Sequence, residues 1–442
     1  MDSGNLKSSL IRGTIQLAAA GILVRIIGLA NRMALSRIIG AEGLGLYQMI
    51  LPLYALLAVI AGLGLSGAVT KMVADRSVTG DIAGRRKVRQ ISLCLVLAAA
   101  AVITVLLFIA PELPLKFIPD RRIIGILRLM PAAFIFAALS SILRSYSQGL
   151  GKMAPTALSQ VAEQTVRVVV GLAAAYFLLP CGMEKALAGL FGGIIAGEIA
   201  CLGVLYFMRP AEERIAPPPC RLPTPSMLKE LFSLALPILL IRLGTSITQT
   251  VESLMIPARL QIAGFTAAKA TTLFGELAGM ALPLLFLPTV LIIPLNTTLV
   301  PAVAGAATLR QRGRLEMLIK ISLWGTLVIG LLSAALLYLA ASPLSAILYG
   351  STTPAGMVSK LAPVAPFAYL QFTTAAILHG MGRPAVAVAT DLLGTAISLT
   401  MIFYLTALPG WGIDGVTCAY TVSFIFISLL DFLLIRNFVK RV

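Results

Sequence analysis

Apolar residues dominate this chain in runs of membrane-spanning length. They fall at about 15–39, 44–70, 90–111, 123–147, 156–180, 186–208, 231–257, 271–301, 317–341, 359–381, 384–408 and 414–438. A helix needs about 20 apolar residues to cross a bilayer. The pattern therefore predicts twelve transmembrane helices with mostly short connections. The first run departs from the rest by carrying Arg25 near its middle and Arg32 two turns later. At 1.5 Å per residue, Arg25 lies roughly 15 Å from either end of the run. An arginine at that depth costs about 2.5–3.5 kcal/mol on insertion scales. Gly21, Arg25, Gly28, Arg32 and Ser36 recur at helical intervals and form one narrow stripe. A small, cationic stripe on an otherwise apolar helix is expected to face a wet, protein-lined cavity.

Composition agrees with the pattern. The 442 residues are 58% hydrophobic and 12% charged, whereas soluble domains carry about 25% charged residues. The first run has no small-residue cleavage site behind a short apolar core, so it reads as a retained span. The net charge of +17 does not point to nucleic acid, because the cations follow the loops. One side holds clusters such as Arg85, Arg86, Lys87 and Arg89; Arg144 and Lys152; Arg310, Arg312 and Arg314; and Arg436, Lys440 and Arg441. The other side holds scattered cations such as Arg37, Lys116, Arg121 and Lys185. The positive-inside rule then places both termini in the cytoplasm. Attraction to anionic membrane lipids is a secondary expectation. The five cysteines are scattered without C-x-x-C spacing, and there is one histidine, so no metal site is expected.

Residues 209–230 form the longest polar, proline-rich stretch, after six spans and before six more. They read as a cytoplasmic linker between an N-terminal lobe, 1–208, and a C-terminal lobe, 231–442. The lobes look related. Ile22–Ile26 (ILVRI) resembles Leu239–Leu243 (LLIRL), which sets Arg25 against Arg242. Gln148–Lys152 (QGLGK) resembles His379–Arg383 (HGMGR), each at the end of the fourth span of its half. An internal repeat with an even number of spans gives two parallel halves around a central cavity. The expected fold is an all-α polytopic membrane protein with two pseudo-symmetric six-helix lobes.

Ionisable residues inside spans are functional candidates. Arg25 and Arg242, with Arg32 and Gln249, fit a midplane site for an anionic, diphosphate-type headgroup, because a guanidinium holds phosphate with a bidentate fork and stays charged on burial. The bland alternative is a structural ion pair, for instance with Glu252. Glu252 and Asp391 are deep carboxylates, and Asp391 shares a face with Thr395 and Ser398. Such a set suits a coupling ion, Na⁺ or H⁺, or else charge compensation for Arg242. Glu163 and Arg167, at i, i+4, read as a local salt bridge, and Arg128 as a residue that snorkels to the surface. Glu198, Glu276 and Asp431 show no constellation. Pro52, Pro237, Pro283, Pro288 and Pro294 should kink their spans. There is no Walker loop and no His-Glu-x-x-His, so no ATP-driven or enzymatic chemistry is expected.

Val24–Pro52, Gly64–Asp75, Gln148–Gln164 and Leu287–Ala306 resemble the multidrug/oligosaccharidyl-lipid/polysaccharide exporter superfamily. Within it they are most similar to the stage V sporulation protein B and polysaccharide-biosynthesis family. The resemblance implies alternating-access flipping or export of polyprenyl-diphosphate-linked saccharides or peptidoglycan precursors at the bacterial cell membrane. Cell-wall synthesis enzymes would be its partners, in spore cortex or vegetative wall. Related lipid II flippases carry Arg-x-x-Gly-x-x-Arg-Asp in the first span. Here Arg25 and Gly28 match, but Asn31 and Arg32 follow, which argues against lipid II itself. The resemblance also implies a cation held by acids of the seventh and eleventh spans, where Glu252 and Asp391 fall. The rival readings are a cation-coupled multidrug exporter of the same superfamily and a non-transporting scaffold in envelope assembly.

Overall fold

A computed structural model describes residues 3–109, 118–209 and 225–440. Most of the expected linker 209–230 thus lies outside the described residues. The chain runs through α1 (Ser3–Ile38), α2 (Gly40–Gly62), α3 (Leu65–Val78), α4 (Ile82–Ile109), α5 (Met130–Gly149), α6 (Met153–Leu178), α7 (Met183–Phe207) and α8 (Pro225–Ile262). It continues through α9 (Ala267–Phe274), α10 (Thr289–Thr308), α11 (Arg312–Leu339), α12 (Ala341–Tyr349), α13 (Ala355–Leu361), α14 (Ala365–Gly380), α15 (Pro384–Leu405) and α16 (Ile413–Val439). Among the described residues there is no strand. Eleven candidate spans are long and apolar enough to cross a membrane, so this is a multi-pass membrane protein. The remaining expected span, 123–147, corresponds to α5. That helix is more polar because it carries Ser140, Ser141, Arg144, Ser145 and Ser147, and two of these hold the buried network described below.

The helices group into two compact units: Met1–Ile39 with Leu46–Ser253, and Gly40–Gly45 with Leu254–Val442. The division falls within α8. The early part of α8 packs on α3, where a Cβ at Gly64 would lie 2.7 Å from the Ala235 carbonyl oxygen. In the first unit α5 is the hub, touching α3, α4, α6 and α7. In the second, α14 takes that place, touching α10, α11, α15 and α16. Both hubs are fourth spans of their halves.

Both hubs also end alike. The Gly151 N–H donates to Gln148 O at 2.9 Å and the Lys152 N–H to Ser147 O at 3.0 Å. The Gly382 N–H donates to His379 O at 3.0 Å and the Arg383 N–H to Leu378 O at 2.9 Å. This is a Schellman stop, whose left-handed residue is best supplied by glycine. Gly151 has φ +70° and Gly382 φ +73°. The preceding glycine of each motif meets a neighbouring helix at close range. A Cβ at Gly149 would lie 2.7 Å from Thr70 O, and one at Gly380 would lie 2.8 Å from Val300 O. The two glycines of each motif thus have separate jobs: close helix crossing, then chain reversal.

The expected span 271–301 is not one straight helix. Residues Gly275–Ala281 form a π-helical turn, Leu282–Phe286 return to α-helix, and the chain breaks at Leu287–Pro288 before α10. Pro283 lacks an N–H and its ring clashes with the carbonyl four residues back, which a π turn accommodates. Here α9 and the π turn cross the start of α2 almost backbone to backbone. A Cβ at Gly275 would lie 1.8 Å from Ala41 O and one at Gly45 2.0 Å from Thr271 O. Small residues of this kind let membrane helices approach closely.

The glycine geometry predicts a graded result in detergent. Gly151→Ala and Gly382→Ala should each cost about 1–2 kcal/mol, the left-handed penalty. Gly149→Ala and Gly380→Ala should cost more, because helices must separate. Thermal-unfolding midpoints of the four variants measure the order, and equal midpoints within each pair would count against the two-job account.

Candidate functional site

The first unit buries a network of charge between α5, α6 and α7. Both oxygens of Glu163 are occupied: Arg144 Nη2 donates to Oε2 and Arg167 Nη2 to Oε1. Arg167 also lies 3.6 Å from Glu198 Oε1, and Ser140 Oγ donates to Glu198 Oε2 at 2.7 Å. Arg144 further contacts Ser159 Oγ at 3.1 Å and Cys201 Sγ at 2.9 Å. The i, i+4 pair expected from sequence is therefore one edge of a larger cluster. Arg144 does not act as a loop cation, as its count among one side's charges assumed. Its side chain is only 18% exposed, within α5, because Glu163 of α6 draws it into the bundle. Glu198, which showed no constellation in sequence, is the second anion of the cluster. The signal was a lone arginine on an otherwise serine-rich helix, legible only once α5, α6 and α7 are packed.

Glu163, Glu198 and Cys201 bring three possible metal-ligand atoms within 4.8 Å of one another. The donor set nonetheless fits a metal poorly. Two guanidiniums already saturate Glu163 and one of them, Arg167, approaches Glu198, so an incoming cation would have to displace them.

The second unit sets its carboxylates differently. Asp431, 1% exposed, accepts from Thr374 Oγ1 at 2.7 Å. Asp391 is exposed on α15 and accepts from Gln371 Nε2 at 2.8 Å. Neither is in an ion pair among the described residues. As in the first unit, the hub helix donates to a carboxylate on the last span: Ser140 to Glu198, and Thr374 to Asp431. In one unit arginines complete the arrangement. In the other the hydrogen-bond donors, Gln371 and Thr374, are neutral. Thr395 is half-buried and Ser398 buried on the same helix as Asp391, and Ser423 Oγ donates to Gly394 O at 2.7 Å beside them.

Arg25, Arg32, Arg242, Gln249 and Glu252 all belong to the first unit. Along α1, Gly28 packs toward Gln164 of α6 and Ser36 is buried, while Arg25 is exposed and Arg32 half-buried. Along α8, Ser246 and Ser253 are buried, Glu252 is half-buried, and Arg242 and Gln249 are exposed. Among the described residues neither Arg25 nor Arg242 is in an ion pair, so the two guanidiniums matched by sequence are both exposed and unpaired. Arg128 is exposed too, as expected for a snorkelling side chain.

A helical bundle of two units with charge buried inside its spans defines a class: a multi-pass membrane protein with the fold of solved transporters of the multidrug/oligosaccharidyl-lipid/polysaccharide exporter superfamily. Comparison narrows this. Residues 10–306 match the family model described as "Polysaccharide biosynthesis protein". The chain is 31% identical over 96% of its length, and 83% of the relative, to Stage V sporulation protein B of Bacillus subtilis (strain 168). It is 25% identical over 98% of its length to Lipid II flippase MurJ of the same organism, covering 83% of it. Among solved structures it resembles an inward-facing multidrug resistance MATE family transporter, with TM-score 0.77 at 17% identity, covering 97% of this chain and 98% of that one. The chain belongs to the polysaccharide biosynthesis protein family.

The buried network yields a stability prediction. Glu163→Gln leaves two guanidiniums facing each other without their shared anion and should cost about 3–5 kcal/mol, as for other broken buried pairs. Arg128→Ala, at an exposed position, should change stability by less than about 0.5 kcal/mol. Denaturation in matched detergent compares them, and near-equal values would remove Glu163 from its structural role.

Proposed function

We propose that this protein flips or exports a polyprenyl-diphosphate-linked saccharide of the cell wall by alternating access between its two halves. The observation that carries this reading is the pair Arg25 and Arg242. Both are arginines inside membrane spans, both are exposed, both lack an ion pair among the described residues, and they match across the internal repeat. An unpaired guanidinium inside a span is costly unless it meets an anion, and a diphosphate satisfies its fork. Arg32 and Gln249 extend the same polar faces. The family and the relative named as a lipid II flippase agree with a lipid-linked saccharide as cargo.

Glu252 in the first unit, and separately Asp391, Thr395 and Ser398 in the second, are proposed as candidates for a coupling Na⁺ or H⁺. Asp391 supports this best, because its hydrogen-bond donor, Gln371, is a neutral amide. With cytoplasmic termini, outward movement of an anion is favoured by about 2.3 kcal/mol per charge per 100 mV of inside-negative potential. A multidrug exporter for cationic drugs would want unpaired acids, and in the first unit Glu163 and Glu198 are already engaged by Arg144 and Arg167.

The test is native mass spectrometry of the purified protein in mild detergent, beside Arg25→Ala and Arg242→Ala. Wild type should retain a polyprenyl-diphosphate saccharide, and each variant should lose it by about tenfold or more, the cost of a charge-assisted contact. Retention in both variants would reduce the arginines to structural residues. Tight binding of cationic drugs with no lipid-linked saccharide would replace the reading with the multidrug one.

A further inference from the structure

A cavity of about 730 Å³ opens on the second unit, between α11, α14 and α16. Its volume lies within the range of small-molecule sites, roughly 300–1,000 Å³. It is polarised from end to end. One end is ringed by Arg312, Glu316, Lys320, Arg436 and Lys440, which come from the start of α11 and the close of α16. The other is walled by Trp324, Leu327, Leu429 and Phe432. From Lys320 to Leu327, and from Arg436 to Leu429, is seven residues, or roughly 10 Å of helix. The groove therefore runs from the end of the spans into one leaflet, of which the apolar half-thickness is about 15 Å.

The hydrogen-bond partners decide what fits. Two hydroxyls lie in the lining, and both are engaged: Thr374 Oγ1 donates to Asp431 Oδ2 at 2.7 Å and Ser428 Oγ donates to Phe367 O at 2.8 Å. Apart from the Trp324 indole N–H, the inner part thus offers a guest apolar contact. At the rim the one acid, Glu316, is paired with Arg312 at 2.8 Å. Lys320, Arg436 and Lys440 are in no ion pair among the described residues. A polar, water-soluble ligand would find few hydrogen-bonding groups inside, and a neutral hydrocarbon would leave the cations unanswered. A molecule with an anionic head and an apolar chain answers both.

We propose that this groove binds an anionic glycerophospholipid of the surrounding bilayer, with its phosphate at Lys320, Arg436 and Lys440 and one acyl chain along Trp324, Leu327, Leu429 and Phe432. The site lies wholly in the second unit, whereas Arg25 and Arg242 belong to the first. It is a resident-lipid site, separate from the cargo site, and the proposal stands whichever lipid is transported.

The chain has two tryptophans, and one of them lines this groove, so the test can be optical. Trp411 is 46% exposed and is replaced in Trp411→Phe, leaving Trp324 as sole reporter. The protein is reconstituted in phosphatidylcholine vesicles containing either brominated phosphatidylglycerol or brominated phosphatidylcholine at equal fraction. Brominated phosphatidylglycerol should quench Trp324 with a relative affinity at least about fivefold above phosphatidylcholine. The preference should fall to near unity in Lys320→Gln/Arg436→Gln/Lys440→Gln. If that variant does not fold, high salt on the Trp411→Phe protein should collapse the preference in the same way. Equal quenching by the two lipids at low salt would overturn the proposal. So would release of quenching by polyprenyl phosphate at concentrations where unlabelled phosphatidylglycerol has no effect, which would assign the groove to cargo.

Discussion

Charge inside a bilayer has to be answered inside the protein, and the clasp of Arg144 and Arg167 on Glu163 is where this molecule meets that demand. An unpaired carboxylate and two unpaired guanidiniums would be prohibitive among α5, α6 and α7. Together with Glu198, and with Ser140, Ser159 and Cys201 taking the remaining contacts, they form a neutral knot that three helices must share. That knot explains why α5 can be the hub of its unit while being less apolar than its neighbours. Its serines and arginine face inward, and the neighbouring helices shield them.

The second unit repeats the frame and changes the charge. Its hub α14 ends in the same two-glycine stop as α5, and again donates from a hydroxyl to an acid on the last span. Where the first unit has guanidiniums, the second has Gln371 and Thr374. Backbone geometry is thus common to the halves, and their electrostatics are not. An ion or proton that binds carboxylate would meet guanidinium competition in the first unit and only neutral donors in the second.

What the sequence made legible follows its physics. Span positions came through because twenty apolar residues in a row have few other uses, and the fourth-span motifs came through because a glycine pair before a basic residue is a local signal. The partners of Arg144, Glu198 and Asp431 did not, because each contact joins residues far apart in the chain, such as 144 with 201 or 374 with 431. The positive-inside count placed Arg144 with the loop cations, since the apolar run 123–147 ends three residues past it. The region 271–301 read as one span because hydropathy cannot see a π turn. The groove on α11 and α16 was invisible for a related reason: its cations looked like topology signals at two distant helix ends.

The π turn has a consequence of phase. A π-helical turn amounts to one extra residue absorbed into an α-helix. Everything on its N-terminal side is rotated by about 100° from where an unbroken helix would put it. Shortening Gly275–Ala281 by one residue would move Lys269 into the angular place of Ala270. Lys269 is exposed and Ala270 is fully buried. The same rotation would carry Leu273 into the buried place of Phe274 and draw the glycine face away from Ala41. A single supernumerary residue thus decides which side of α9 is packed, and an insertion or deletion there would change the helix as a dial is turned, with no alteration of any side chain.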